Sequence, residues 1–196
     1  MLDGDRVLAS ASEPMQRGHQ ERLAPMVEEV MAAAGLKFAA LDLVGVTIGP
    51  GSFTGVRVGL AFAKGLGLAL GIPCVGVGAL DALAATAGSD GKVAAAIDAR
   101  RGQVYLQLFE QGRPVSAPEA ADLKLAAGRI EAFFAGDEAR LVGTGAHLLT
   151  PDLGKASLGP DRPDPVVIAR LTIEAPSPTP PPRPVYLRAP DARLPA

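Results

Sequence analysis

The chain has very few of the residues that disulfide frameworks, base-stacking platforms and metal centres require. Its 196 residues include one cysteine, two histidines and no tryptophan, and aromatic residues make up only 4%. The single cysteine, Cys74, excludes a disulfide within the chain and fits a reducing cytoplasm. Aromatic residues for stacking bases are scarce. The core must therefore be built mainly from Ala, Val and Leu.

The chain also lacks an excess of positive charge and an obvious membrane segment. Lys and Arg number 19 against 21 Asp and Glu, a net charge of −2, which argues against nucleic-acid binding over a whole face and leaves room only for a local basic patch. The first six residues include the charged Asp3, Asp5 and Arg6, a pattern unlike the start of a signal peptide. Arg57 and Lys64 interrupt the apolar run 56–70, which we expect to be too short for a membrane span. We therefore expect a cytoplasmic protein.

Apolar periodicity predicts an α/β fold of one domain, or of two small subdomains around a shared core. Helices are predicted at 20–34, 54–70, 80–87, 122–134 and 165–171. Strands are predicted at 6–10, 43–48, 73–77, 93–98, 103–109, 113–116 and 141–143. The three strands between 93 and 116 should form a meander. The segment 185–188 is open to two interpretations, a short terminal strand or a segment that docks on a neighbour.

The most informative stretch is residues 49–71, GPGSFTGVRVGLAFAKGLGLALG. Small residues recur every fourth position, which places them on one face of a helix. These residues are Gly55, Gly59, Ala63, Gly67 and Gly71. Glycine inside a helix costs about 1 kcal/mol relative to alanine, so this face must gain from close packing. Two interpretations remain, contact with the protein's own sheet or contact with another helix.

The glycine-rich turn at 49–55 does not match known phosphate-binding motifs. No lysine follows Gly55, so it is not a P-loop, and Thr54 stands where a dinucleotide fingerprint has its third glycine. A helix N-terminus can bind anions, but we expect a tight turn in which Ser52 or Thr54 caps the helix.

Other candidate catalytic groups are incomplete. His19 and Glu21 are too few ligands for a metal site, and His147 stands by itself. Asp98 ends a strand where a carboxylate can position metal and phosphate, but pairing with Arg100 or Arg101 is the favoured interpretation. Cys74 and Ser52 have no partners at a recognisable catalytic spacing.

The two halves of the chain resemble each other. Residues 2–7 (LDGDRV) echo residues 110–115 (EQGRPV), and both read as turns that open a strand. Two strands precede this turn in the second half. We therefore expect the first half to lack its two initial strands; the alternative is that it simply starts with one edge strand.

Five motifs resemble the TsaB family, which takes part in forming N6-threonylcarbamoyladenosine (t6A) on tRNA. They occur in the family's order and span nearly the whole chain. They are GPGSFTGVRVGLAFAKGLGLALGIP at 49–73, RGHQERLAPMVEEV at 17–30, AAIDARRGQVY at 95–105, LVGTGA at 141–146 and PVYLR at 184–188. The first motif is highly specific.

The resemblance implies a duplicated actin-like (RNase H-like, ASKHA) α/β fold. The expected units are a truncated N-terminal subdomain at 1–90, a second subdomain at 91–175, and a proline-rich connector and tail at 176–196. It implies a subunit without catalytic activity of its own, which binds and stabilises TsaD, the enzyme that modifies the adenosine next to the anticodon. The alternative is an actin-like ATPase or phosphotransferase that uses the 49–55 turn and Asp98.

The resemblance also implies partners and an interface. A TsaD-like protein is expected as heterodimer partner, with a TsaE-like ATPase joining, a homodimer possible, and tRNA engaged indirectly. ATP and metal are expected on the partner subunits, with no cofactor on this chain. Arg100 and Arg101 are candidate point contacts to tRNA phosphates. The interface candidates lie on two helices: Leu23, Met26, Val27, Val30, Gly55, Arg57, Gly59, Ala63, Lys64 and Gly67.

Overall fold

The computed structural model describes residues 1–13, 18–176, 178 and 180–188. The first half contains a hairpin and three helices around two parallel strands. In chain order these elements are β1 (Leu2–Asp3), β2 (Arg6–Val7), α1 (His19–Ala34), β3 (Val44–Thr47), α2 (Phe53–Leu70), β4 (Cys74–Val77) and α3 (Ala79–Thr86). A short 3-10 helix, Phe38–Ala40, leads into β3.

The second half contains the larger sheet. Its elements are β5 (Lys92–Arg100), β6 (Gln103–Glu110), β7 (Arg113–Pro114), β8 (Glu119–Asp122), α4 (Leu123–Phe134), β9 (Ala139–Val142), α5 (Ala146–Leu149), β10 (Ala156–Leu158) and α6 (Pro165–Ile173). The strands are ordered β10-β9-β5-β6-β7, and β8 also pairs with β6. Strands β5, β6 and β7 form the predicted antiparallel meander, whereas β9 is parallel to β5 and β10 to β9.

Helices cover both faces of the β3–β4 pair. Val46 packs with Leu60 and Ala63 of α2. The neighbouring Gly45 faces Thr172 of α6, and a Cβ at Gly45 would lie 2.0 Å from the Thr172 hydroxyl. Successive strand residues point to opposite faces. Helix α2 therefore covers one face and α6 the other, and glycine is needed where α6 approaches.

The second sheet is also covered on both faces. Ala94 and Ala96 of β5 belong to the core formed with α4 and α5, which includes Ile130 and Leu149. Val93 and Ala95 belong to a second core formed with Leu80 and Leu83 of α3. Helix α3 from the first half thus packs on the second sheet, while α6 from the second half packs on the first. Each expected subdomain therefore supplies one helix that packs on the sheet of the other.

Most predicted elements are present, and the differences follow from short or weakly patterned segments. All five predicted helices form, with bounds within two residues of the expectation, and Asp164 caps α6 directly before Pro165. The predicted strand at 6–10 is only the two-residue β2. Strands β8 and β10 and the one-turn helix α5 were not predicted. Each has only three or four residues, which is too short for a periodic apolar signal.

Candidate functional site

Three of the five small residues of α2 pack against the protein's own sheet. A Cβ at Gly59 would lie 3.7 Å from Val46 Cγ2, and one at Gly67 would lie 3.1 Å from the Ile72 carbonyl oxygen. Ala63 is only 4% exposed. Of the two interpretations left open by the sequence, the protein's own sheet is the contact that these positions make. The prediction that a partner helix contacts Ala63 and Gly67 is therefore wrong, because β3 and β4 already occupy that space.

The opposite face of α2 is exposed and largely apolar. Phe53 is 42% exposed and Leu68 is 86% exposed. Arg57, Ala61 and Lys64 are exposed between them. Spacings of three and four residues place all five side chains on one side of the helix. We call these five residues the outward face of α2.

Among the described residues, α2 is also the one helix whose length and composition would suffice to cross a membrane. Its 18 residues have a mean hydropathy of 1.3, and 17% of them are buried. The helix begins three residues before the apolar run 56–70 noted in the sequence. Core helices of soluble proteins pass the same test. The small residues packed on β3 and β4 make α2 a helix of the α/β layer with one apolar side left open.

Helix α1 carries the other predicted interface residues. Leu23, Met26, Val27 and Val30 are all half-buried, and within the described part of α1 only Met31 is fully buried. The helix makes only sparse contacts with the other elements. Packing of an amphipathic face usually supplies most of a helix's stability in a protein. The apolar face of α1 is therefore only partly covered by its own chain.

An ion-pair network lies on the polar side of α1. Arg22 pairs with Glu29 on the same helix, at 2.7 Å, and with Glu13 in the preceding segment. Hydrogen bonds donated by Arg22 lower the pKa of both carboxyl groups. The side chain of His19 lies outside the described residues. Within the described residues, no group of three or more His, Cys, Asp or Glu side chains is placed to hold a metal ion.

The glycine-rich turn forms a helix cap. The Ser52 hydroxyl accepts a hydrogen bond from the Gly55 N–H at 3.3 Å, which satisfies one of the N–H groups left unpaired at the start of α2. Of the two predicted caps, Ser52 is confirmed. Gly49 has φ of 94°, and a Cβ there would lie 3.1 Å from the Val185 carbonyl oxygen, so glycine is required where the C-terminal segment passes.

That C-terminal segment, residues 180–188, crosses the first sheet; we call it the C-terminal strap. Pro182 is buried, and a Cβ at Gly76 would lie 3.0 Å from the Pro182 Cβ. The Val185 N–H donates a 2.8 Å hydrogen bond to the Ile48 carbonyl at the end of β3. The sequence left two interpretations of 185–188 open, a terminal strand or docking on a neighbour. The structure shows neither: this segment has no strand and packs on its own chain. Residues 189–196 of the expected tail lie outside the described residues.

The strap meets α2 in a cluster of two aromatic rings and a guanidinium. The Arg57 guanidinium carbon lies 3.6 Å from the Phe53 ring centroid. Arg57 Nε donates a 2.9 Å hydrogen bond to the Tyr186 hydroxyl, and the two aromatic rings are 5.5 Å apart. Further along the strap, Arg188 donates a 3.0 Å hydrogen bond to the Ala99 carbonyl in the β5–β6 hairpin. The strap therefore joins the first sheet to the second.

The β5–β6 hairpin holds Asp98 in the predicted pairing. Asp98 Oδ1 accepts a 2.7 Å hydrogen bond from the Arg100 N–H, and Oδ2 lies 3.2 Å from the Arg100 guanidinium. The Asp98 N–H donates to the Thr144 hydroxyl at 3.2 Å. Arg100 and Arg101 both have positive φ, 64° and 56°. The carboxylate thus stabilises a turn that exposes two arginines.

Two further side chains have shifted pKa values. Burial raises the pKa of Asp81 at the start of α3, and its carboxylate occupies the space that a Cβ at Gly78 would need. Burial also raises the pKa of the Cys74 thiol, opposed by the charge of Lys64. A raised pKa keeps this thiol protonated at neutral pH, as expected for an unreactive cysteine. His147 lies exposed beside a shallow cleft lined by Thr144 and Asp161.

Comparison with known proteins identifies a family. The family model described as "TsaD: tRNA N6-adenosine threonylcarbamoyltransferase" matches residues 8–127. An uncharacterized protein of Mycobacterium tuberculosis is 37% identical over 193 residues, which cover 97% of this chain and 82% of that protein. The tRNA threonylcarbamoyladenosine biosynthesis protein TsaB of Escherichia coli is 38% identical over 98 residues, 48% of this chain and 42% of that protein.

The fold also matches solved structures. A crystal structure of an uncharacterized protein with similarity to peptidase YeaZ, from Pseudomonas aeruginosa, superposes with a TM-score of 0.74 at 29% identity, covering 90% of this chain and 87% of that one. YeaZ from the same organism gives a TM-score of 0.68, also at 29% identity, over 80% and 76% of the two chains.

Proposed function

The chain belongs to the TsaB group of the TsaD family, and from that premise we propose that it is the non-catalytic partner subunit for t6A modification of tRNA. Its role is to bind a TsaD-like transferase and stabilise the active assembly in the cytoplasm. Such a subunit acts by binding the competent state of its partner more tightly than other states. ATP and metal belong to the other subunits, including a TsaE-like ATPase.

One observation carries this proposal: the outward face of α2 exposes apolar residues, while the opposite face packs on β3 and β4. Leu68 is 86% exposed and Phe53 is 42% exposed. An exposed apolar helix face is a marker of a protein interface. The half-buried residues of α1 supply a second apolar helix, and two apolar helix faces are what a helical partner surface needs.

The structure changes which residues we propose for the interface. From the sequence candidates we keep Leu23, Met26, Val27, Val30, Gly55, Arg57 and Lys64. We leave out Gly59, Ala63 and Gly67, because they face β3 and β4. We add Phe53, Ala61 and Leu68, which share the exposed side of α2 with Arg57 and Lys64. Periodicity could not distinguish these two faces, because both carry small or apolar residues.

The test is capture of the cognate TsaD protein by purified variants of this chain. Leu68→Lys places a charge on the outward face while keeping a good helix former, and lysine suits the last turn of a helix. We expect affinity for TsaD to fall about tenfold or more, since a charge would be buried in an apolar contact. Leu158→Lys is the matched control, because Leu158 is 57% exposed on β10 of the second sheet.

Three outcomes are informative. Loss of capture for Leu68→Lys with full capture for Leu158→Lys supports the proposed surface. Equal capture by Leu68→Lys and the unchanged protein would rule out the outward face as the interface. No capture by the unchanged protein, together with a tRNA-modification assay that does not need this chain, would overturn the proposed function itself.

The proposal extends to a duplicated actin-like fold with units 1–90 and 91–175. Supporting it, the order α1-β3-α2-β4-α3 repeats as α4-β9-α5-β10-α6, and each set contains one parallel strand pair. In the second set β9 also pairs with β5. Within the described residues β3 pairs only with β4, so the first set has no counterpart of β5 and β6 beside it.

A further inference from the structure

The strap and the β5–β6 hairpin bring together four arginines that are far apart in the sequence. Arg57 bonds to Tyr186, Arg188 follows two residues later and bonds to the Ala99 carbonyl, and Arg100 and Arg101 come directly after Ala99. We call Arg57, Tyr186, Arg188, Arg100 and Arg101 the arginine ribbon.

The ribbon is a local excess of positive charge on an acidic chain. The whole chain has a net charge of −2, while the ribbon contributes four guanidinium groups. Asp98 accepts a hydrogen bond from the Arg100 N–H and pairs with the Arg100 guanidinium. The Arg100 side chain is nevertheless 85% exposed. A clustered positive surface of this kind attracts a polyanion.

The backbone at the hairpin tip places two arginines in a conformation that normally favours glycine, which suggests that their side chains have a binding role. Arg100, Arg101 and Gly102 have φ of 64°, 56° and 71°, three left-handed residues in succession. Glycine adopts this conformation freely, whereas other residues do so at a cost. The β5–β6 pairing shifts register between Asp98 and Arg100, and such bulges often redirect side chains next to binding sites.

Aromatic rings lie at the other end of the ribbon. Phe53 and Tyr186 are 42% and 44% exposed, and the Arg57 guanidinium lies over the Phe53 ring. Exposed rings beside arginines give bases a surface to stack on while the guanidinium groups contact phosphates.

We propose that the arginine ribbon binds RNA directly, contacting the phosphates of a stem–loop with Arg100, Arg101 and Arg188 and stacking an unpaired base on Tyr186. The choice of a tRNA stem–loop as the RNA rests on the proposed function. In this arrangement the chain positions the RNA as well as the transferase, and Arg57 orients Tyr186.

The test measures binding of a fluorescently labelled 17-nucleotide RNA stem–loop with a seven-base loop, by anisotropy at several KCl concentrations. The test variant is Arg100→Gly with Arg101→Gly, because glycine keeps the left-handed turn. The control is Arg113→Ala with Arg129→Ala, which removes the same charge elsewhere. Arg113 pairs with the far end of β6, about 23 Å along the strand from the hairpin.

We expect the hairpin variant to bind about tenfold more weakly and its plot of log affinity against log salt to flatten by about 1.4, about 0.7 per lost phosphate contact. The control should bind within about twofold of the unchanged protein. Tyr186→Ala should weaken binding while Tyr186→Phe keeps it, because only the ring stacks. Melting temperatures of all variants verify folding.

The same variants are assayed for TsaD capture, which separates this inference from the proposed function. RNA binding that is lost with TsaD capture intact supports the ribbon. Equal RNA affinity of the hairpin variant and the unchanged protein would overturn the proposed RNA site. A hairpin variant that no longer captures TsaD but still binds RNA would also overturn it, because the surface would then bind a protein. Ribbon-dependent RNA binding without any TsaD capture keeps the ribbon and overturns the proposed function.

Discussion

Arg57 on α2 donates a 2.9 Å hydrogen bond to the hydroxyl of Tyr186, a residue 129 positions later in the chain. The same guanidinium lies over the Phe53 ring. One arginine therefore fixes the C-terminal strap to the helix that carries the proposed partner surface. The partner surface and the arginine ribbon meet at this residue, so protein binding and RNA binding are expected to influence each other.

The first prediction concerns the strap. Tyr186→Ala removes both the hydrogen bond from Arg57 and the ring contact with Phe53, so the strap should detach more often. We expect faster trypsin cleavage after Arg188. Tyr186→Phe keeps the ring and loses only an exposed hydrogen bond, which contributes about 1 kcal/mol or less. Limited proteolysis followed by mass spectrometry measures this, and equal cleavage rates for the Ala and Phe variants would contradict the anchoring role of the ring.

The second prediction compares the two faces of α2 with one substitution. Ala63→Leu should destabilise the fold by about 1–3 kcal/mol, because Ala63 is 4% exposed against Val46 and extra methyl groups overpack a filled core. Ala61→Leu, on the exposed side, should change the free energy of unfolding by less than about 0.5 kcal/mol. Urea denaturation measures both. Equal stability of the two variants would show that α2 presents a different face to β3 and β4.

The third prediction is a pH dependence due to Asp81. Burial raises the pKa of this carboxyl in the folded protein above its unfolded value. The folded state therefore binds the proton more tightly, and this stabilisation is present below the unfolded pKa of about 3.9 and is lost as pH rises through the folded pKa. Above its folded pKa this carboxyl is a partly desolvated charge in the native state.

Asp81→Asn should consequently raise the melting temperature at pH values above the folded pKa, and the gain over the unchanged protein should shrink as pH falls toward 4. Differential scanning calorimetry across this range measures it. Asp137→Asn, which changes an exposed aspartate in the loop after α4, is the control for removing a surface carboxylate. A gain for Asp81→Asn that does not vary with pH would have to come from the amide's packing.

The fourth prediction concerns the edge of β3. The Val44 and Ile48 N–H groups bond to β4, at the Pro73 and Val77 carbonyls. Because alternate residues of a strand point their N–H groups to opposite sides, those of Gly45 and Thr47 point to the other edge. We expect Gly45 and Thr47 amides to exchange with deuterium much faster than Val44 and Ile48. Similar protection at all four positions would show that another segment pairs with β3.

The sequence was a good guide wherever a local pattern was long enough. The 16 residues of α1 and the 18 of α2 carry several turns of periodicity, and their bounds were predicted closely. Asp164 was correctly predicted as a cap, and the cap of α2 was narrowed to Ser52 or Thr54, of which Ser52 forms it, because a cap depends on residues within one turn. Strand β10, which is ASL between polar residues, offered no such pattern.

The candidate site shows where local patterns stop being sufficient. The repeat of Gly59, Ala63 and Gly67 correctly indicated a closely packed face, but not what packs on it. The packing partners are β3, which precedes α2 in the sequence, and β4, which follows it. The sequence indicated Arg100 and Arg101 as candidate phosphate contacts but not the ribbon as a whole, since Arg57, Arg100 and Arg188 are separated by dozens of residues.

By itself, then, the sequence determined the local structure and the family of this protein. Helix periodicity, caps and each individual motif depend on residues that are close together in the chain. Only the tertiary structure decided which side of α2 is open, where the strap docks, and which charges become neighbours. Those outcomes depend on contacts between distant segments, whose free energies are set by the packing of whole sheets and helices and not by any one stretch of residues.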